Sequence, residues 1–301
     1  MQTRTKPRVT LLGIATLTGC MLAATASANG HNNAEATGGK LLLTGGVTEI
    51  GGAAGGGLTP WAVIGGYGTQ DQIGANAFVT HLNLPDYHFD AYGAMIGFYN
   101  RVELSVAKQR FDTEKIGGAL GLGNGFSFEQ TVIGVKVRLF GDLVLDQGSW
   151  MPQVAVGVQH KKNNQEAVVK LVGAKDAAGT DYYVSASKLL LGQSLLLNAT
   201  VRFTKANQIG ILGFVGDNID TYDAELEGSL AYLLNQHWAI GAEYRQKPNN
   251  LGIAKENDWY DAFVAWAPNK HISLTLAYAE LGNIVLKNHQ HGVYLSMQIG
   301  F

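Results

Sequence analysis

Residues 291–301 read His-Gly-Val-Tyr-Leu-Ser-Met-Gln-Ile-Gly-Phe. Val293, Leu295, Met297, Ile299 and Phe301 alternate with Tyr294, Ser296, Gln298 and Gly300. One face is apolar throughout and the other is polar or small. Strict period two marks a strand lying between two environments. Hydrocarbon on one side and a polar interior on the other is the pairing found in a transmembrane β-barrel.

The pattern recurs upstream. Ile272, Leu274, Leu276 and Tyr278 alternate with Ser273, Thr275 and Ala277. Similar runs surround Tyr260–Trp266, Trp238–Tyr244, Leu226–Leu234, Leu195–Phe203, Val154–Val158 and Ile133–Leu139. Each is about the ~9–11 residues that a tilted strand needs to cross the hydrocarbon. Composition agrees. Only 15% of the 301 residues are charged, 39 are glycine, and mean hydropathy is +0.03, too polar for a helical membrane protein. A net charge of −2 gives no basic footprint for nucleic acid. The single cysteine excludes a disulfide framework.

Reading connections back from the C-terminus, placed in the periplasm, gives inner turns at 267–270, 235–236, 191–194, 141–149, 100–101 and 67–71. The outer loops fall at 281–291, 247–258, 216–222, 161–181, 112–125 and 85–88. Long loops outside and short turns inside are the expected asymmetry. It holds if residues 195–215 form one long strand or a strand with an outer extension. Residues 40–50 supply a first strand, and glycine-rich 51–57 its loop. The fold class is therefore all-β: a closed antiparallel transmembrane meander of about 12–14 strands, with fourteen the first count and twelve the alternative. Trp61, Trp238, Trp266, Tyr244, Tyr260, Tyr278 and Phe301 are placed near strand ends on the lipid face, as interfacial girdles. One or two helical turns are expected at 165–172.

The N-terminus carries Arg4, Lys6 and Arg8, then an uncharged run to Ala28 ending Ala-Ser-Ala. That is the form of a secretory signal peptide. The expected division is 1–28 signal peptide, 29–39 short periplasmic segment and 40–301 barrel. Leu17-Thr18-Gly19-Cys20 resembles a lipobox, so lipidation at Cys20 is the alternative to cleavage after Ala28. Loss of the three basic residues leaves the mature chain at net charge −5.

Phe301, with Ile299 and Met297 on the same face, resembles the C-terminal assembly signal of bacterial outer-membrane proteins. This implies the barrel-assembly machinery as a partner and outer-membrane lipid as the surroundings. The stretch 38–69 (GGKLLLTGGVTEIGGAAGGGLTPWAVIGGYGT), residues 181–190 with 195–214, and 244–284 (YRQKPNNLGIAKENDWYDAFVAWAPNKHISLTLAYAELGNI) resemble a family of uncharacterised Gram-negative outer-membrane barrel proteins. The resemblance implies fold and location, and brings no substrate or catalytic residue.

The chemistry rests on charges expected to face the interior. Lys136, Arg138 and Arg202 lie on earlier strands, and Glu225, Glu227, Glu243, Arg245 and Asp261 on later ones. Opposed basic and acidic walls in a wet lumen would set a transverse field across a porin-like channel for small polar solutes. In the other reading the same charges neutralise one another in a closed, structural or scaffolding barrel. Uptake of a hydrophobic compound would need an apolar lumen, and only Phe263, Tyr294 and Tyr183 suggest one.

His289 and His291, with His81 and His88 elsewhere, lack a third ligand nearby in sequence, so no metal or cofactor is expected. His271 and Ser273 share a strand face but point inward at the periplasmic rim, the wrong side for a lipid substrate. The 51–57 run lacks the Gly-Lys-Ser/Thr ending of a phosphate loop. No enzyme is expected.

Overall fold

A computed structural model of the protein describes residues 39–301 except Gly46 and Ala254. The expected signal peptide and Cys20 lie outside the described residues. Twelve strands form one closed antiparallel barrel. They are β1 (Ile73–Asn83), β2 (His88–Phe98), β3 (Val102–Asp112), β4 (Ser127–Phe140), β5 (Gln153–Asn163) and β6 (Ala178–Leu190), then β7 (Leu195–Thr204), β8 (Asp223–Leu233), β9 (Trp238–Arg245), β10 (Trp259–Asn269), β11 (Ile272–Ile284) and β12 (Lys287–Gly300). Each strand pairs with its neighbour in sequence, and β1 pairs with β12 to close the ring, leaving no edge.

Burial alternates residue by residue along the strands. On β12, Val293, Leu295, Met297 and Ile299 face out while Tyr294, Ser296 and Gln298 are buried inside. Trp238, Tyr244, Tyr260, Tyr278 and Phe301 are exposed on the outer surface, and Trp238 stacks on Trp266 at 5.6 Å. At the opposite end, His81, Asp90, Arg110 and Glu129 lie side by side across β1–β4 on the outer face. That polar row marks where hydrocarbon contact ends. The end carrying Phe301 has short turns at 99–101, 191–194, 234–237 and 270–271, with 141–152 the exception. The far end carries the longer connections 113–126, 164–177, 205–222 and 246–258, with a short helix α1 (Glu166–Leu171) in the second of these; 84–87 and 285–286 are short, and the outer loop expected at 281–291 is mostly strand.

The expected first strand and its loop are corrected. Residues 40–50 form no strand, and 51–57 is not a surface loop. The segment 39–72 enters the barrel, turns in mid-lumen and returns to the same end to start β1. Its sequence explains why. Leu41, Leu42 and Leu43 break period two, and the run 51–57 is too rich in glycine to hold a ladder. The β1–β12 closure also leaves no edge for a further strand. The count is therefore twelve. Trp61 travels with this segment and is 4% exposed, so it belongs to the interior and not to a lipid girdle.

Residues 195–215 take the second of their two expected forms, a strand with an outer extension. The strand ends at Thr204, and the outer extension folds back into the barrel mouth, where Asn207–Gly210 form a short turn with all four residues buried. The lumen is thus filled from both ends by chain segments that belong to no strand.

Candidate functional site

Part of the barrel wall is small on its inner side. Ala91, Ala107, Ala155, Ser185, Ser187, Ser229, Ala231 and Ala265 all face inward and are buried. A twelve-strand barrel with such walls is wider than its own side chains can fill. The space is taken by the plug, residues 39–72.

The plug is held through its main chain by polar wall side chains. Glu103 accepts hydrogen bonds from the N–H groups of Ala54 (3.1 Å) and Gly65 (2.7 Å). Lys136 Nζ donates to the carbonyls of Ala54 and Val63, both at 2.8 Å. Glu243 accepts from Leu58 N–H and from the Thr59 hydroxyl, both at 2.7 Å. Arg245 donates to Leu58 O at 2.9 Å, and Gln153 to Ala62 O at 2.6 Å. The Trp61 indole N–H donates to Ser229 Oγ at 2.9 Å. Main-chain groups that find no ladder inside a membrane barrel must be satisfied this way. Glycine permits the close approach: a Cβ on Gly56 would overlap the Glu243 carboxylate, and Gly52 adopts φ +98° beside Ala107.

The charges singled out in the sequence face inward, but they do not form opposed walls. Lys136 pairs with Glu103 on the adjacent strand at 3.1 Å. Arg202 meets Glu227 at 2.5 Å and Asp181 at 3.4 Å, and Lys161 meets Asp181 at 2.7 Å. Arg245 joins Glu227 at 3.3 Å and reaches plug residue Glu49 at 4.0 Å. Glu49 in turn accepts from Gln159 at 2.5 Å. Positive and negative groups therefore alternate around one buried network, and the expected transverse field is cancelled locally. Arg138 lies 3.7 Å from Asp142 near the periplasmic mouth. Asp261 sits beside Glu243 across the β9–β10 pair, with Oδ1 unpartnered among the described residues. Glu225 is buried near the outer end of β8.

Glu103, Asp181, Lys161, Glu49 and Ser229 were missed in the sequence. The first three occupy inward positions of period-two strands and were open to detection. Glu49 was assigned to a strand that does not form. His271 bonds the Gly300 carbonyl at 3.2 Å and Ser273 bonds Gln298 at 2.8 Å, so each is engaged with structural partners.

At the periplasmic mouth, Lys40 Nζ donates to Ile64 O at 2.6 Å and Gly66 O at 3.0 Å, clasping the two arms of the plug. Burial pushes this ammonium down to about 7, with Glu103 opposing the shift and Lys136 and Arg138 adding to it. A cavity of about 460 Å³ opens beside it, with Asp71, Asn100 and Asp142 on its walls.

The outer half of the lumen is different. There Leu82, Phe89, Phe111, Trp259, Leu281 and Tyr294 converge on a chamber that is apolar almost throughout. This corrects the expectation that the lumen lacks such a surface. The residues come from β1, β2, β3, β10, β11 and β12, and the closure of β1 on β12 brings them together.

The family model described as "Protein of unknown function (DUF3034)" matches residues 44–298, taking in the plug from Thr44 as well as the twelve strands. The chain belongs to the DUF3034 family. No curated protein matches it. Among solved structures, the DUF3034 chain is similar to the KdgM porin at TM-score 0.48 and 11% identity, covering 75% of this chain and 99% of that one. Outer membrane protein Omp33 of Acinetobacter baumannii gives TM-score 0.45 and 8% identity, covering 77% and 100%. The COG4313 outer membrane channel of Pseudomonas putida F1 gives 0.43 and 11%, covering 81% and 97%.

Proposed function

We propose that this protein is a porin-like transport barrel of the bacterial outer membrane, closed at rest by its own N-terminal segment. Small solutes cross only when that segment moves. The observation that carries the reading is the plug itself: a separate piece of chain, held by its main chain, filling the space that the wall side chains leave. A purely structural barrel has no need of a removable filling, because large inward side chains close a lumen more simply. Both arms of the plug leave by the periplasmic end, so it can withdraw without threading past the outer loops. Export by the 1–28 leader, insertion by the barrel-assembly machinery through Phe301, Ile299 and Met297, and passive passage of small polar solutes belong to this proposal.

The second reading, a non-conducting structural barrel, is favoured by the complete pairing of Lys136, Arg202 and Arg245. Planar-bilayer conductance separates the two. The mature chain is expected to be quiet with rare openings, and a chain lacking residues 40–66 to conduct steadily. A deleted chain that folds to a barrel and passes no ions would leave only the structural reading.

A further inference from the structure

We propose that the outer half of the lumen is a binding chamber for a mainly apolar small molecule carrying one acceptor oxygen. The inward-folded outer loop occupies that chamber until the ligand arrives. The inference rests on the transport reading only for the ligand's onward path, since binding does not require the plug to move.

Three observations carry it. First, the chamber is enclosed and its lining is apolar, with Ile50 and Leu58 of the plug as its floor. Small-molecule sites are concave and mostly apolar, with a few placed polar groups. A peptide or protein partner has no access to a cavity inside the barrel.

Second, the occupant is the chain's own loop. Ile209, Ile211 and Leu212 enter from the 205–222 connection and are 5%, 3% and 3% exposed. The free space they leave is only about 30 Å³. Space of that size admits no more than a few water molecules, so a ligand must displace the loop. The three side chains vacate room for about twelve carbon atoms, since each has four.

The loop is seated at a conformational cost. Gln208 adopts φ +43°, Ile209 φ +59° and Val215 φ +59°. Positive φ on a β-branched residue is a genuine outlier. Such strain persists where neighbouring contacts hold it, here the bonds to Ile209 O from Lys161 (3.1 Å) and Gln130 (3.3 Å) and to Ile211 O from Asn163 (2.7 Å). Releasing the loop relieves the strain, which favours exchange for a ligand.

Third, Trp259 lines the chamber at 5% exposure, and its buried indole N–H has no hydrogen-bond partner among the described residues. An indole nitrogen only donates. A ligand carbonyl, hydroxyl or ether oxygen would satisfy it. The chamber thus specifies both an apolar body and one acceptor.

The test uses the mature full-length chain in nanodiscs, dialysed against naphthalene and against 2-acetylnaphthalene, with empty nanodiscs subtracting lipid partition. Saturable binding of both is expected, with the ketone held about fivefold to tenfold more tightly. Trp259→Phe should erase that preference, bringing the ratio of the two affinities to about one. Ile209→Ala/Ile211→Ala/Leu212→Ala should tighten both by about tenfold or more, because the competing loop side chains are gone. Leu82→Trp should abolish both by filling the chamber. Heat-modifiable gel mobility confirms that each variant is a folded barrel. Uptake no greater than that of empty nanodiscs overturns the proposal, as does a ketone preference that survives in Trp259→Phe. The plug stays seated throughout, so failure here and failure of the conductance experiment are read separately.

Discussion

Replacing Lys136 by methionine should unseat the plug. Lys136 is 1% exposed, and its ammonium makes two 2.8 Å bonds to plug carbonyls and a 3.1 Å pair with Glu103. A hydrogen bond to a charged group contributes about 1.5–3 kcal/mol, and leaving a buried charge without its partner costs about 3–5 kcal/mol. Glu103 keeps its bonds from Ala54 and Gly65 only while the plug stays in place, so part of the cost is recovered when the plug leaves and water enters. A net shift of about 4 kcal/mol toward the open state is then expected, or close to a thousandfold in the open-to-closed ratio. The assay is single-channel recording, with open probability compared between wild type and Lys136→Met. The double variant Glu103→Gln/Lys136→Met removes the orphaned charge and should fall between the two, and with the single variant Glu103→Gln it gives the coupling between the partners. A folded Lys136→Met barrel with unchanged open probability would refute the idea that these bonds hold the passage closed.

Other consequences follow from the same geometry. Lys40 has a seated value of about 7 against the ordinary 10.5. A withdrawn plug therefore binds more protons between those values, and closure strengthens as pH rises from 7 toward 10.5. Opening should be more frequent at pH 6 than at pH 9, and Lys40→Met should flatten that dependence in bilayer recordings. Gly56→Leu puts a side chain against the Glu243 carboxylate and should give a folded but conducting barrel, read by liposome swelling. Single-tryptophan variants should separate the interior from the girdle: brominated lipid quenches Trp238 and Trp266 but leaves Trp61 bright.

The strands were legible because lipid and lumen impose opposite demands on successive residues. Val293 through Ile299 state the rule without an exception, and the inward positions of Lys136, Arg202 and Glu243 follow from it. The plug was not legible, because inside a lumen both faces of a chain meet protein and no periodicity survives. Leu41–Leu43 and 51–57 carry only the negative sign that they suit a strand poorly. The pairing of the charges also escaped. Partners such as Glu103 and Lys136 sit 33 residues apart and meet only through the β3–β4 register. The apolar chamber was hidden for a related reason. Leu82 and Phe89 lie at one end of the sequence and Leu281 and Tyr294 at the other, and only barrel closure joins them.

The position of the plug is the central claim, and a tether tests it most directly. A Cβ at Gly52 would stand 3.2 Å from that of Ala107, so a small shift of the two segments reaches the ~3.8 Å of a disulfide, and the bond must hold the new cysteine at the φ of +98° that glycine adopts freely. The sequence has no cysteine after Cys20, so Gly52→Cys/Ala107→Cys introduces a single defined pair once the leader is removed. Oxidation of this variant in native membranes, without denaturant, should give a cross-linked monomer of altered gel mobility whose rare openings vanish and return on reduction. Two thiols that stay unlinked under oxidation and react freely with a water-soluble maleimide would place the segment outside the lumen and contradict the account.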